Sequence, residues 1–135
     1  MPFKKYIVLD AVALFYFQMS KMPKILKDLQ QKIIDGEVTA IIPTIAISEI
    51  LWKLRKEGIK ELESLKIAYL NWKKSPNIII DSFDVEILDK MIESKESYEL
   101  HDEIIAMTCY KYNTKIIYTK DKKLKDFWNL DTISW

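Results

Sequence analysis

Asp10, Glu49, Asp102 and Asp121 are carboxylates that an α/β chain can gather at one end of a parallel sheet, and acids gathered that way point to a divalent-metal site. Asp10 closes the run Tyr6-Ile7-Val8-Leu9, so its carboxylate stands at a strand's carboxyl end, where open α/β sheets place their ligands. Asp121 follows the run Lys115-Ile116-Ile117-Tyr118 by three residues. Two unit charges about 4 Å apart repel by roughly 4 kcal/mol at an effective dielectric near 20. Clustered carboxylates must therefore take up protons or hold a cation, and hard oxygen donors suit Mg²⁺ or Mn²⁺.

The elements that must position these acids follow from hydrophobic period. Apolar, β-branched runs at Tyr6–Leu9, Val38–Ile42, Asn77–Ile80, Lys115–Tyr118 and Thr132–Trp135 predict five strands, and their continuous apolar character suits strands covered on both faces. Between them Lys24–Ile34, Ile45–Lys56, Lys60–Lys73, Val85–Ser94 and Asp102–Tyr112 carry apolar residues at helical spacing, as in Ile47, Ile50, Leu51 and Leu54. Gly36, Gly58 and Asn113 stand where helices should stop, Pro76 stands before the third strand, and Asp84 and Thr44 stand where helices should be capped. The expectation is a three-layer α/β/α fold with a central, mostly parallel five-stranded sheet in the order 3-2-1-4-5, as a single domain over residues 1–135. In that order strands one and four are neighbours and their connections leave in opposite directions, opening a crevice flanked by Asp10 and Asp121. Glu49, one turn into its helix, and Asp102, at the start of another, can reach the same rim.

Composition narrows the function classes. The chain is 49% hydrophobic and 30% charged, which suits a globular protein rather than a disordered one. Lys and Arg number 21 against 20 Asp and Glu, a formal charge of +1, so any nucleic-acid binding must be local rather than driven by a global basic field. One Cys and one His exclude an internal disulfide and a structural zinc site, and point to a reducing cytoplasm. Residues 1–17 imitate a signal peptide, but Asp10 interrupts the apolar run and no uncharged stretch is long enough to span a bilayer, so neither processing nor membrane insertion is expected.

In order and spacing these residues resemble the PIN-domain family, specifically its small VapC-like toxins. Tyr6-Ile7-Val8-Leu9-Asp10-Ala11 is similar to the family's first motif and Ser48-Glu49 to its second. Asp102-Glu103-Ile104-Ile105-Ala106 is similar to the third, and Tyr118-Thr119-Lys120-Asp121 to the fourth. The resemblance implies a metal-dependent ribonuclease that leaves a 5′-phosphate, the toxin of a toxin–antitoxin pair. By the same resemblance Mg²⁺ or Mn²⁺ is held by Asp10, Asp102 and Asp121 with Glu49 in support, Thr119 orients an acid or its water, and the partners are RNA, a cognate antitoxin and a second copy in a homodimer. The apolar stretches Val12–Phe17 and Ile25–Ile34 exceed what one buried stripe requires, and the first of them lies in the region that helps receive an antitoxin in such proteins. One departure stands out: the family carries Ser, Thr or Asn two residues after the first Asp, and this chain has Val12. It favours the alternative of a weakly active or inactive PIN-like module that binds RNA or protein.

Other residues keep two roles open. Taken alone, Asp10 is equally a helix cap and Asp121 a solvated turn residue among lysines. His101 is a proton shuttle or simply a residue at a helix start. Lys53, Arg55, Lys56, Lys120, Lys122, Lys123 and Lys125 form a phosphate groove or an ordinary solvated surface. Trp52, Trp72, Trp128 and Trp135 read first as core or interface. Glu103 and Asp126 point away from the site, since successive helix positions diverge by about 100°. Val12 denies the second acid of a haloacid-dehalogenase-like phosphatase. Asp81 alone does not make a response-regulator receiver, and Gly36 and Gly58 cannot supply a dinucleotide-binding loop.

Overall fold

In a computed structural model, which describes residues 5–17, 22–57, 59–94 and 99–135, the chain runs β1 (Tyr6–Leu9), α1 (Ala11–Phe17), α2 (Lys24–Ile34), β2 (Thr39–Pro43), α3 (Thr44–Glu57) and α4 (Ile59–Lys74). It continues through β3 (Ile78–Asp81), α5 (Val85–Glu93), α6 (Leu100–Lys111), β4 (Ile116–Tyr118), α7 (Lys123–Trp128) and β5 (Asp131–Ile133). The strands form one sheet in the order β3-β2-β1-β4-β5, with every neighbouring pair parallel. The predicted fold class and strand order are therefore both present.

Strand alternation splits the core in two. Ile7 and Leu9 of β1, with Ala40 and Ile42 of β2, face a cluster built by Leu14 of α1, Leu26, Leu29 and Ile33 of α2, Ile50 and Leu54 of α3 and Trp72 of α4. Val8, Ile41 and Ile117 face the opposite cluster of Ile87 from α5, Ile104, Ile105 and Met107 from α6, and Leu124 and Trp128 from α7. Helices thus cover both faces, which is why β1 and β2 are apolar without alternation.

Local signals act where their chemistry requires. Gly36 has φ +78, a left-handed conformation that lets the chain leave α2 and turn into β2. Asn113 does the same after α6 with φ 52, and Asp84 Oδ1 accepts the Ile87 N–H at 3.1 Å to cap α5. Gly58 lies outside the described residues. Most boundaries shift by a residue or two: β2 begins at Thr39 and takes in Pro43, β3 runs Ile78–Asp81, β4 begins at Ile116, β5 runs Asp131–Ile133, α3 and α4 each gain a residue at both ends, and α5 ends at Glu93. Helix α6 starts at Leu100, which puts Asp102 in its first turn rather than at its start. Two helices were not anticipated. In α1 a short apolar run is made helical by the cap that Asp10 provides, and in α7 a lysine-rich turn is made helical by burial of Leu124 and Trp128.

The far end of α6 is tied to β3 and α5 by a polar cluster. Lys111 Nζ lies 2.9 Å from Asp81 Oδ1 and 2.7 Å from Asp84 Oδ2, and Tyr112 donates its hydroxyl to Asp81 Oδ1 at 2.8 Å. Asp81 is therefore a structural anchor. Burial alone would lower the Lys111 pKa, but hydrogen bonds to Asp84 and Asp81 raise it above its ordinary value. Removing the cation leaves Asp81, 8% exposed, with an uncompensated charge. Lys111→Met should lower the unfolding free energy by about 2–3 kcal/mol in urea titrations. Adding Asp81→Asn should cost less than the sum of the two single changes, because both remove the same contact.

Candidate active site

Asp10 sits where β1 ends and α1 begins, and its buried carboxylate serves both elements. Oδ1 accepts the Ala13 N–H at 3.0 Å, the bond of a helix cap, while Oδ2 accepts a short hydrogen bond from Thr119 Oγ1 at the end of β4. The same Thr119 hydroxyl accepts the Asp121 N–H at 3.0 Å, so it donates to one acid and accepts from the backbone of another. Burial pushes the Asp10 pKa up, and the donors Thr119, Ala13 and Val12 pull against it.

Neighbouring elements bring in the other acids. Helix α3 packs on both α1 and α6, which places Glu49 between Asp10 and the first turn of α6. Asp10, Glu49, Asp102 and Asp121 line one open cleft of about 350 Å³ together with Glu99, Val12, Lys53 and Lys120. All four sequence-predicted acids therefore share a cavity at the carboxyl ends of β1 and β4. Glu103 and Asp126 are not among its lining residues, as expected from their helix positions.

The electrostatic signature is negative charge in excess of its partners. Asp102 is pushed up to about 7, first by burial and then by Asp121, Glu99, Glu49 and Asp10. Glu49 is raised by burial, held down by His101 and Lys53, and raised again by Asp10 and Glu99. His101 Nδ1 approaches Glu49 Oε1 to 3.3 Å, yet that buried oxygen has no hydrogen-bond donor. The contact is thus a close approach and not a hydrogen bond, and Glu49 Oε1 is left without a donor.

Hard, partly desolvated carboxylate oxygens are the donor chemistry of Mg²⁺ and Mn²⁺. Among the described residues, however, no three His, Cys, Asp or Glu side chains stand close enough together to hold one ion. The acids share a cleft without forming a closed coordination shell. Both observations hold, because lining a cavity is a looser condition than converging on one point within it.

The basic residues divide. Lys53 and Lys120 reach the cleft, whereas Arg55, Lys122, Lys123 and Lys125 do not line it. Lys120 Nζ lies 5.8 Å from the ring centre of Tyr16 and 5.3 Å from that of Trp135, and those rings meet edge to face. Two aromatic faces thus hold its ammonium beside the acids. The tryptophans divide as well: Trp72 and Trp128 are buried in the core, whereas Trp52 is 59% exposed and is not a core residue. Glu99, the residue preceding α6, was not anticipated at the site. Its one sequence signal is a position three residues before Asp102, which matters only once the helix is known to begin at Leu100.

Among the described residues no helix is long and apolar enough to cross a membrane. None of the curated proteins compared matches the sequence. Solved structures match in fold. VapBC2 from Rickettsia felis, bound to a DNA fragment from its promoter, aligns with TM-score 0.72 at 18% identity over 96% of this chain and 98% of its own. VapC20 of Mycobacterium tuberculosis, described as a Sarcin-Ricin loop cleaving toxin, aligns with TM-score 0.63 at 11% identity over 89% and 93%. DNA-bound VapBC from Salmonella typhimurium aligns with TM-score 0.62 at 11% identity over 98% and 99%. The family model for the PIN domain matches residues 7–128, a span that takes in Asp10, Glu49, Asp102, Thr119 and Asp121, and the chain belongs to the PIN-domain family.

Proposed function

We propose that this chain is a divalent-metal-dependent ribonuclease that hydrolyses RNA phosphodiester bonds, and that it is the toxin of a toxin–antitoxin pair. The observation that carries this reading is the shared cleft of Asp10, Glu49, Asp102 and Asp121, in which Asp102 is pushed up to about 7. Carboxylates that raise one another's pKa in this way are relieved by a hard cation. Asp10, Asp102 and Asp121 would hold Mg²⁺ or Mn²⁺, with Glu49 in support. A bound ion of this kind supplies a water of lowered pKa and shields the phosphate as charge builds on its oxygens.

The chain's own groups do the rest. Thr119 fixes the Asp10 carboxylate through its hydroxyl and sets the backbone of Asp121 through the same oxygen. Lys53 and Lys120 supply positive charge among the five acids of the cleft, as a phosphodiester backbone needs. A largely apolar groove beside the cleft, lined by Ala11, Val12, Phe15, Tyr16 and Ile50 with Lys53 and Glu57 at its edge, supports a seat for an antitoxin segment. On α5 the exposed stripe Val85, Leu88 and Ile92, at 71%, 43% and 74%, supports a homodimer.

Cleavage of a labelled structured RNA pool should require Mn²⁺ or Mg²⁺, stop with EDTA, and fall by about a hundredfold or more in Asp10→Asn and in Asp102→Asn. Binding without cleavage under either metal would instead leave a PIN-like binding module. Lys120→Ala should weaken binding of unrelated RNAs alike and lower the slope of log affinity against log salt by about 1. The carboxylate cluster also sets a pH dependence. The folded chain keeps the Asp102 proton up to about 7, while the unfolded chain loses it near the ordinary 3.8. Stability of the metal-free protein should therefore fall as pH rises from 3.8 to about 7, moderated by the cleft's openness to water. Asp102→Asn should reduce that fall in urea unfolding across this range, and saturating Mn²⁺ should oppose it in the wild type.

A further inference from the structure

We infer that the cavity beside the acidic cleft, walled by Trp52, is the seat of an unpaired nucleobase of the RNA strand, stacked on the indole next to the phosphate being cut. The inference rests on the ribonuclease reading above and adds to it a base-binding site. The cavity has a volume of about 410 Å³ and includes Ile45, Ser48, Trp52 and His101 in its walls. It shares Glu49, Lys53 and Glu99 with the acidic cleft, so the two cavities adjoin across these side chains.

Helix α3 explains the arrangement. Its core face is Ala46, Ile50 and Leu54, at a spacing of four. Glu49, Trp52, Lys53 and Lys56 fall at three- and four-residue spacing along a different face, so an acid of the cleft, an aromatic ring and two ammonium groups form one stripe. Trp52 leaves 59% of its surface exposed even though Lys56 Nζ stands 3.4 Å from its ring centre. The indole is therefore not required by the core, and it carries a cation on one side.

A second copy of the chain or a peptide is the competing occupant, and the charge pattern disfavours both. Protein interface cores are depleted in charged residues, whereas this wall sets one aromatic among Glu49, Lys53 and Glu99, with the Lys56 ammonium over the aromatic ring. An aromatic platform beside cations is how single-stranded nucleic acid is held without a groove: the base stacks, and the phosphates on either side meet the ammonium groups. Ser48 and His101 add polar atoms within the cavity for the base's edge.

The test uses the full chain with Trp52→Ala and Trp52→Phe. In EDTA, fluorescence anisotropy measures binding of a short labelled single-stranded RNA and of an abasic strand of equal length, while light scattering records oligomeric state. The expected result is tighter binding of the RNA than of the abasic strand by the wild type, a loss of about tenfold for RNA alone in Trp52→Ala, and recovery in Trp52→Phe. With Mn²⁺, KM should rise in Trp52→Ala with kcat nearly held. Equal affinity for the two strands in the wild type, or RNA binding indifferent to Trp52→Ala, would overturn the inference. So would a Trp52→Ala variant that loses self-association but keeps its RNA affinity, since the face would then be a contact between copies. Failure of the ribonuclease reading looks different: the wild type would cut nothing with either metal, while the strand preference and its dependence on Trp52 would persist.

Discussion

The hydrogen bond from Thr119 to Asp10 joins the two central strands at the point where their connections diverge. Asp10 is a buried carboxylate, and a group of that kind is tolerated only where donors compensate its lost hydration. Here the donors come from both sides of the seam: the first turn of α1 gives an N–H, and the end of β4 gives a hydroxyl. One side chain thus starts a helix, ends a strand and fixes its parallel neighbour. The Asp10 N–H to Tyr118 carbonyl bond, at 3.3 Å, runs across the same seam. Because Thr119 also accepts from the backbone of Asp121, the positions of the first and last acids of the cleft are set by a single hydroxyl group.

Around that seam the charge distribution is local. The chain is close to neutral as a whole, yet five carboxylates converge on one cleft and two ammonium groups stand among them. Concentrating like charge raises the free energy of the metal-free fold, and the cost is met by packing elsewhere: β2 is buried along its length, and two apolar clusters close on opposite faces of the sheet. The acids come from different elements: the Asp10 carboxylate is held by the hydroxyl of Thr119 after β4 and by the Ala13 N–H, and the Asp121 carboxylate accepts the Lys123 N–H at 2.9 Å.

How much of this was legible in the residues depended on whether the signal was periodic. The strands and five of the helices followed from apolar runs of strand and helical period, the sheet order from the common doubly wound topology, and the acids from their place at strand ends and in the first turns of helices. Helix α1 was not legible because seven residues are too few for a period, and it owes its form to the Asp10 cap. Helix α7 was hidden by lysines whose exposure says nothing of Leu124 and Trp128 on the other side. The Lys111–Asp81–Asp84 cluster joins residues about thirty positions apart, and no local pattern announces it. Trp52 shows the same limit at the site: its residue type reads as core, and only the rotation of α3 reveals that Ala46, Ile50 and Leu54 already fill that role.

Val12 brings the seam, the cleft and the groove together. A hydroxyl or amide at this position would give the acidic cluster an additional polar neighbour, and valine cannot. The structure shows what that absence leaves in place: the Asp10 carboxylate already receives the Thr119 hydroxyl and the Ala13 N–H, so its orientation does not depend on the side chain at position 12. Val12 instead lines both the acidic cleft and the apolar groove between α1 and α3, with 36% of its surface exposed. Ala11 and Lys53 line both cavities too, so Val12 and Ala11 give the shared rim an apolar side opposite one ammonium group. The departure from the family pattern therefore leaves the grip on Asp10 in place and puts an apolar side chain on the edge shared by the groove and the acids.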